Sequence, residues 1–304
     1  MTTISIAAHG TALAVALSMA LSVRIAAQTP QNPWAGPAGA ALGKYADVNG
    51  VHLYYEIHGE GRPLVLLHGG LGAGSMFGPT LAALAKGHQV ILVDLQGHGR
   101  TADVDRPITL EAMSDDIAAL LAHLKIAKAD VMGYSLGGGV AFQTAVRHPE
   151  AVRKLVLVST ALRSNAFYPE LRAQQKQLTG ALADQMKGTP MYELYMSVAP
   201  RTQDFPRLLT KIGAFMNSEF DYTQQFAALQ TPTLIVAGDA DMFPVSHAVE
   251  AFALLDGGKR DGGWDGSGRS KLAQLAILPG VTHYNSAVAP ALAVVAGQFL
   301  DAKE

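Results

Sequence analysis

Short runs dominated by apolar residues recur along this chain with helix-length segments between them, and few architectures accommodate that alternation. Residues 63–67, 89–93, 130–134, 154–159 and 233–237 are such runs, strand-sized and without the period of a half-exposed strand. Between them, residues 109–124 place Ile117, Leu120, Leu121 and Leu124 on one helical face, and residues 136 to about 147 read as a second helix. A strand that is apolar on both sides must be covered on both sides. A parallel sheet with helices on each face does this, so the expected fold class is α/β. Ahead of these runs, two alternating segments at 44–48 and 51–57 are joined by Asn49-Gly50, the strongest short hairpin signal.

The rhythm breaks after the sixth strand. From residue 161 to about 229 no strand-like run occurs, and the segment reads as helices interrupted at Pro169, Gly188-Thr189-Pro190, Pro200 and Pro206. A helix at about 245–255, a last strand at 275–278 and a closing helix at 289–300 follow the strand at 233–237. The expected organisation is a core of residues 44–160 and 230–304 with a helical insertion at 161–229. The composition, 49% hydrophobic and 16% charged, can bury such a core and excludes a disordered chain. Lys plus Arg number 23 against 25 Asp plus Glu, a net charge of -2. No basic surplus is available to displace counterions from a phosphate backbone, so nucleic acid is not an expected partner. The absence of cysteine removes disulfides, thiolate metal sites and a cysteine nucleophile.

Residues 11–23 form an uncharged apolar run, too short to cross a hydrocarbon core of about 30 Å comfortably. With Ile25-Ala26-Ala27 before Gln28 it reads as a signal peptide over residues 1–27, implying export to the periplasm or medium and no stable membrane span after processing. No Lys or Arg precedes the run and Arg24 follows it, so an uncleaved anchor stays open. Residues 28–43, rich in Pro, Gly and Ala, read as a flexible lead-in.

Gly133-Tyr134-Ser135-Leu136-Gly137 fits G-x-S-x-G between a strand and a helix. In that context the glycines admit a sharp turn that lifts the Ser135 hydroxyl above the sheet at a helix N-terminus. A serine hydroxyl needs a base, and the base needs an orienting acid. Both follow the insertion: Asp241 or Asp239 after the strand at 233–237, and His283 after the last strand. Strand carboxyl ends are where open α/β sheets bind ligands. The other histidines show neither H-E-x-x-H nor another shared metal spacing, so no metal is expected.

From about residue 44 onward the chain resembles an α/β-hydrolase with a helical cap, of the esterase or enol-lactonase kind. The matching pieces are His68-Gly69-Gly70, residues 94–99 (DLQGHG), the GYSLGG turn, residues 238–241, and residues 279–283 before Tyr284. The resemblance implies a mostly parallel sheet, a Ser135–His283–Asp241 triad with Asp241 chosen over Asp239, and no cofactor. It implies an oxyanion hole from the amides of Leu136 and Gly70, with Leu71 as substitute, and structural roles for His68, His98 and Asp94. Asp at the nucleophile position would mark dehalogenases and epoxide hydrolases. Ser135 speaks against both.

The insertion is rich in Met and aromatic residues, which adapt to irregular apolar ligands. Met191, Tyr195 and Met216, together with Leu71 and Tyr134, are the candidate substrate contacts; simple packing of the insertion onto the core is the competing reading. Residues 256–270 are rich in Gly and charge and carry Trp264. They lack the spacing and closing Glu of an EF-hand and read as a surface loop near the His-bearing edge. The expected function is a serine hydrolase of carboxylic esters or lactones, with a small apolar or aromatic substrate. The same triad would serve a carbon–carbon bond hydrolase of dienoic ring-cleavage products or a perhydrolase. From a different class, a non-catalytic ligand-binding protein would also keep the fold.

Overall fold

The computed structural model describes residues 43–303. The expected signal peptide at 1–27 and all but the last residue of the lead-in at 28–43 lie outside the described residues. Strands β1 (Lys44–Val48) and β2 (Val51–His58) form the expected hairpin. Asn49 and Gly50 both take positive φ, 48° and 79°, the combination a two-residue turn needs to match strand twist.

Six further strands complete the sheet: β3 (Arg62–Leu67), β4 (His88–Val93), β5 (Ala129–Tyr134), β6 (Val152–Val158), β7 (Thr233–Ala240) and β8 (Ala273–Thr282). Their order is β1-β2-β4-β3-β5-β6-β7-β8. β2 pairs antiparallel with both β1 and β4; every other neighbouring pair is parallel. β5 is buried along its whole length, as a central strand covered on both faces should be.

One face is covered by α2 (Leu110–His123), α3 (Leu136–Arg147) and α8 (Val245–Leu254), which contribute Ile117, Leu120, Phe142 and Ala248 to one core cluster. The other carries α1 (Gly78–Leu84) and α9 (Pro290–Asp301), with Leu81, Leu84, Leu292 and Phe299 in a second cluster. Thr109 begins α2 by accepting the Ala112 amide on its hydroxyl at 3.1 Å, a cap worth about 1 kcal/mol. Buried Lys154 of β6 donates to the carbonyls of Phe299 and Ala302 at 2.8 and 2.7 Å. Its cation thus sits at the negative end of α9.

Between β6 and β7 lie α4 (Pro169–Gln175), α5 (Pro190–Val198), α6 (Phe205–Asn217) and α7 (Thr223–Ala227), with short 3₁₀ turns among them. Three of the four begin at or beside a proline, where the missing N–H costs nothing. The segment is clamped to the core through Asp103, which is buried. Its carboxylate receives Arg207 and Lys211 at 2.8 Å each, and its carbonyl receives Arg201.

Two expectations are corrected here. β8 runs on through Pro279-Gly280 to Thr282, because Ala240 and Thr282 still pair beyond a register shift at Gly238. The loop at 256–270 does not lie near His283. It leads from the end of α8 to the start of β8, and Thr233 pairs with Ala273 at the opening of both strands. A crossover returns the chain to the amino edge of a parallel sheet, so this loop and its fully exposed Trp264 lie at the edge opposite the site. No helix among the described residues is long and apolar enough to cross a membrane.

Candidate active site

Ser135 follows β5 directly, at φ 54° and ψ -117°, a conformation that non-glycine residues rarely hold. The neighbouring glycines make the turn possible. A Cβ on Gly133 would lie 2.0 Å from the Gly137 carbonyl oxygen, and one on Gly137 would lie 2.4 Å from the carbonyl oxygens of Leu67 and His68. The Ser135 amide is held by the Val158 carbonyl at 2.9 Å. Leu136 opens α3, where amides have no partner within the helix.

His283 and Asp241 reach this turn from the carboxyl ends of β8 and β7. The His283 Nε2 lies 3.0 Å from the Ser135 hydroxyl, and its Nδ1 lies 2.8 Å from Asp241 Oδ1. Asp241 is buried, yet all its hydrogen bonds favour the charged form. Oδ1 also accepts from the Met242 amide at 2.8 Å, and Oδ2 accepts from the Ser159 hydroxyl at 2.6 Å and the Gly238 amide at 3.2 Å. Burial alone would push its pKa up. The bond to His283, the charge that imidazole carries when protonated, Ser159 and Met242 outweigh burial and hold it below the ordinary carboxylate value. Asp239 does something else: exposed, it accepts the Val281 amide on Oδ1 at 3.2 Å and pins the bulge that turns Asp241 inward.

Several residues complete this arrangement. Tyr134 donates its hydroxyl to the His283 carbonyl at 2.8 Å, with its ring 5.2 Å from the imidazole. Ser286 donates to the same carbonyl at 2.9 Å. Ser159, at the end of β6 with φ 52°, and Ser286 were not singled out from sequence. Their partners are 82 and 127 residues away or reached through a turn, and a lone serine carries no local signal for that.

The loop after β3 brings Gly69, Gly70 and Leu71 over Ser135. A Cβ on Gly70 would lie 3.8 Å from the Leu136 side chain, and both residues line the cavity beside Ser135. His68 ties this loop down. Its Nε2 accepts the Leu95 amide at 3.0 Å while Nδ1 donates to the Gly69 carbonyl at 2.7 Å. Asp94 accepts the amides of Gly74 and Arg100 at 2.7 and 2.8 Å. Burial lowers the His68 pKa to about 4 and that of His98 to about 3, the latter helped by the adjacent His68.

Above Ser135 opens a cavity of about 410 Å³ between the sheet edge and the inserted helices, lined by Leu71, Tyr134, Met191, Phe215, Met216, Tyr284 and Gln175 among others. Tyr195 is a correction. Its ring packs 5.1 Å from Phe205 and its hydroxyl points to the Arg201 carbonyl at 3.4 Å, so it is buried beneath α6 and does not line the cavity. Met191 and Tyr195 lie one turn apart on the same side of α5: Met191, in the first turn, borders the cavity, and Tyr195, further along, packs on Phe205 instead. Among the described residues no group of three or more His, Asp or Glu is placed to hold a metal.

Residues 62–189 match the family model of the alpha/beta hydrolase fold. A RutD protein of Azorhizobium caulinodans, named as a carbamate hydrolase, is 31% identical over 221 residues, covering 67% of this chain and 82% of the relative. The chain belongs to the α/β-hydrolase family. A pimeloyl-[acyl-carrier protein] methyl ester esterase of Chromobacterium violaceum is 30% identical to this hydrolase, across 69% of the chain and 80% of the esterase. Among solved structures, the enol-lactonase of Burkholderia xenovorans LB400 aligns with a TM-score of 0.65 at 26% identity, covering 85% of this chain and all of that one. The mostly parallel, helix-covered sheet expected of this hydrolase is the fold observed.

Proposed function

We propose that this hydrolase cleaves neutral, apolar carboxylic esters through an acyl-enzyme on Ser135. The observation that carries the reading is the continuous relay of hydroxyl, imidazole and carboxylate at 3.0 and 2.8 Å, mounted on a strained turn at the floor of an apolar cavity. His283 takes the proton from Ser135 as the hydroxyl oxygen attacks the ester carbonyl. The carbonyl oxygen, now negative, rests on the amides of Leu136 and Gly70; one such donor is worth about 3 kcal/mol in the transition state. His283 then passes the proton to the leaving alcohol. Water, activated by the same imidazole, releases the acid and frees Ser135.

The cavity favours esters over the carbon–carbon alternative. Among the described residues lining it there is no Arg, Lys, Asp or Glu. A dienoic acid would have to bury its carboxylate there without a cation, which is costly. The names of the relatives span carbamate, methyl ester and enol-lactone hydrolysis, reactions that share attack at an acyl carbon. Export belongs to the same reading, resting on the apolar run at 11–23; mature protein beginning at Gln28 would support it.

The test uses wild type and Ser135→Ala on p-nitrophenyl esters of increasing chain length, with a fluorophosphonate probe located by mass spectrometry. Turnover by wild type alone, with the probe on Ser135, is expected. A probe on another residue, or equal turnover by both proteins, overturns the reading.

A further inference from the structure

α4 raises a question that the triad does not answer. Of its seven residues the one that is buried is a glutamine, Gln175, 8% exposed, and it lines the cavity. Amphipathic helices bury apolar side chains, and an amide enclosed without a partner costs free energy.

Its orientation is fixed from behind. Arg172 Nη1 donates to Gln175 Oε1 at 3.2 Å. Arg172 is itself held by the Met216 carbonyl at 2.6 Å and by Glu219 at 2.9 Å. A guanidinium only donates, so the amide oxygen must face Arg172 and the NH2 must face away. Among the described residues that NH2 has no hydrogen-bond partner. Gln175 borders the cavity, whose lining is rich in Met, Phe, Leu and Ile and, among the described residues, carries no Arg, Lys, Asp or Glu. The protein thus presents a neutral amide donor, set in α4 of the inserted segment, to whatever lies against Ser135.

We propose that Gln175 is a specificity-determining donor, and that the preferred substrates carry a neutral hydrogen-bond acceptor, a ketone, ester or ether oxygen, on the apolar group the cavity encloses. This rests on the ester-hydrolysis reading above. A carboxylate is a poorer match, because Arg172 does not line the cavity and its charge is matched by Glu219.

Binding separates this subsite from the chemistry. The ligands are methyl alkanoates and the same esters with one methylene replaced by a ketone, the ketone moved one carbon at a time. Ser135→Ala protein, titrated by calorimetry, is expected to bind one ketone position roughly three- to tenfold more tightly than the plain ester, the range of a neutral hydrogen bond. Adding Gln175→Met should abolish that preference, with the melting temperature reporting that the variant is folded. Gln175→Glu, of the same size but presenting oxygen to the cavity, should reverse it, and this variant carries the test if the Met variant does not fold. Equal affinity at every ketone position, a preference that survives Gln175→Met, or tighter binding of a carboxylate-ended analogue overturns the proposal. Absence of ester turnover by wild type, with the ketone preference intact, removes the ester reading and leaves the subsite standing.

Discussion

The two walls of the cavity are built on opposite principles. On the sheet side, Asp241 accepts four hydrogen bonds, from His283, Met242, Ser159 and Gly238. Ser135 is held at a positive φ by its neighbours. On the helical side, Met191, Phe215 and Met216 offer apolar contact without directional bonds, and Gln175 is the polar exception in α4. The first wall must place atoms to a fraction of an ångström for proton transfer. The second must accept a shape, for which thioethers and rings suffice. Substitutions on the two sides should therefore fail differently: steeply and irrespective of substrate on the sheet side, gradually and substrate by substrate on the other.

The largest effect is expected at the nucleophile. Ser135→Ala should lower kcat by about 10⁴-fold or more. Ser135→Gly should abolish turnover equally but raise the melting temperature, because glycine takes φ 54° without the cost that serine bears. Differential scanning calorimetry on both variants checks this. A glycine variant less stable than wild type would mean that the elbow stores no strain, and the contrast between the two walls would lose its clearest example.

The loop-tying histidines extend the argument to pH. His68 and His98 are buried and neutral, with pKa values near 4 and 3 against 6.5 in the unfolded chain. Between 6.5 and 4 the unfolded state binds more protons than the folded one, so stability falls as pH drops through that window and is fully present above it. For His68 the loss is about 3 kcal/mol by pH 4. Melting temperature measured from pH 7 to 4 should fall steeply, and His98→Gln should flatten the curve. A wild-type curve without slope in that window would show that these imidazoles are not sealed from solvent.

Next in size is Ser159→Ala. Its hydroxyl is one of the donors that keep Asp241 charged. Losing it should cost about tenfold in kcat, the lower end for a bond to a charged group, with KM little changed. Because the Asp241 pKa is depressed, its contribution to stability is present above the ordinary carboxylate range and is lost as pH falls through the folded value. Removing Ser159 moves that loss to higher pH. A fall in kcat without any shift in acid stability would assign Ser159 to packing instead.

Much of the sheet wall was legible because its signals are local. Gly133 and Gly137 flank Ser135 for steric reasons that any strand–turn–helix imposes, and Asn49-Gly50 dictates its own turn. Asp241 is separable from Asp239 in the sequence only by resemblance, and the structure supplies the difference: beside the register shift at Gly238, Asp241 is buried against His283 and Ser159 while exposed Asp239 accepts the Val281 amide. Ser159, Ser286 and Gln175 were invisible, since each acquires its meaning from partners that tertiary folding brings to it. The loop at 256–270 was misplaced for a related reason: its charge and glycine describe a surface, and only strand direction says which edge that surface occupies.

The smallest and most discriminating effect belongs to the helical wall, where α5 carries both a cavity residue and its own control. Met191 lines the cavity, and Tyr195, one turn later, is buried against Phe205. Met191→Ala and Met216→Ala should each shift the ester chain-length optimum toward longer acyl groups, changing the ratio of kcat/KM between neighbouring chain lengths by less than about tenfold. The freed volume is modest, and the remaining Met and Phe side chains relax into it. Tyr195→Ala should cost about 3 kcal/mol of stability, as large-to-small changes in a core do, and leave the chain-length ratios where they were. If all three variants move the ratios together, the helices respond as one body and specificity is a matter of how the segment sits on Asp103. If only the two methionines move them, specificity for chain length is written residue by residue in the apolar part of the helical wall.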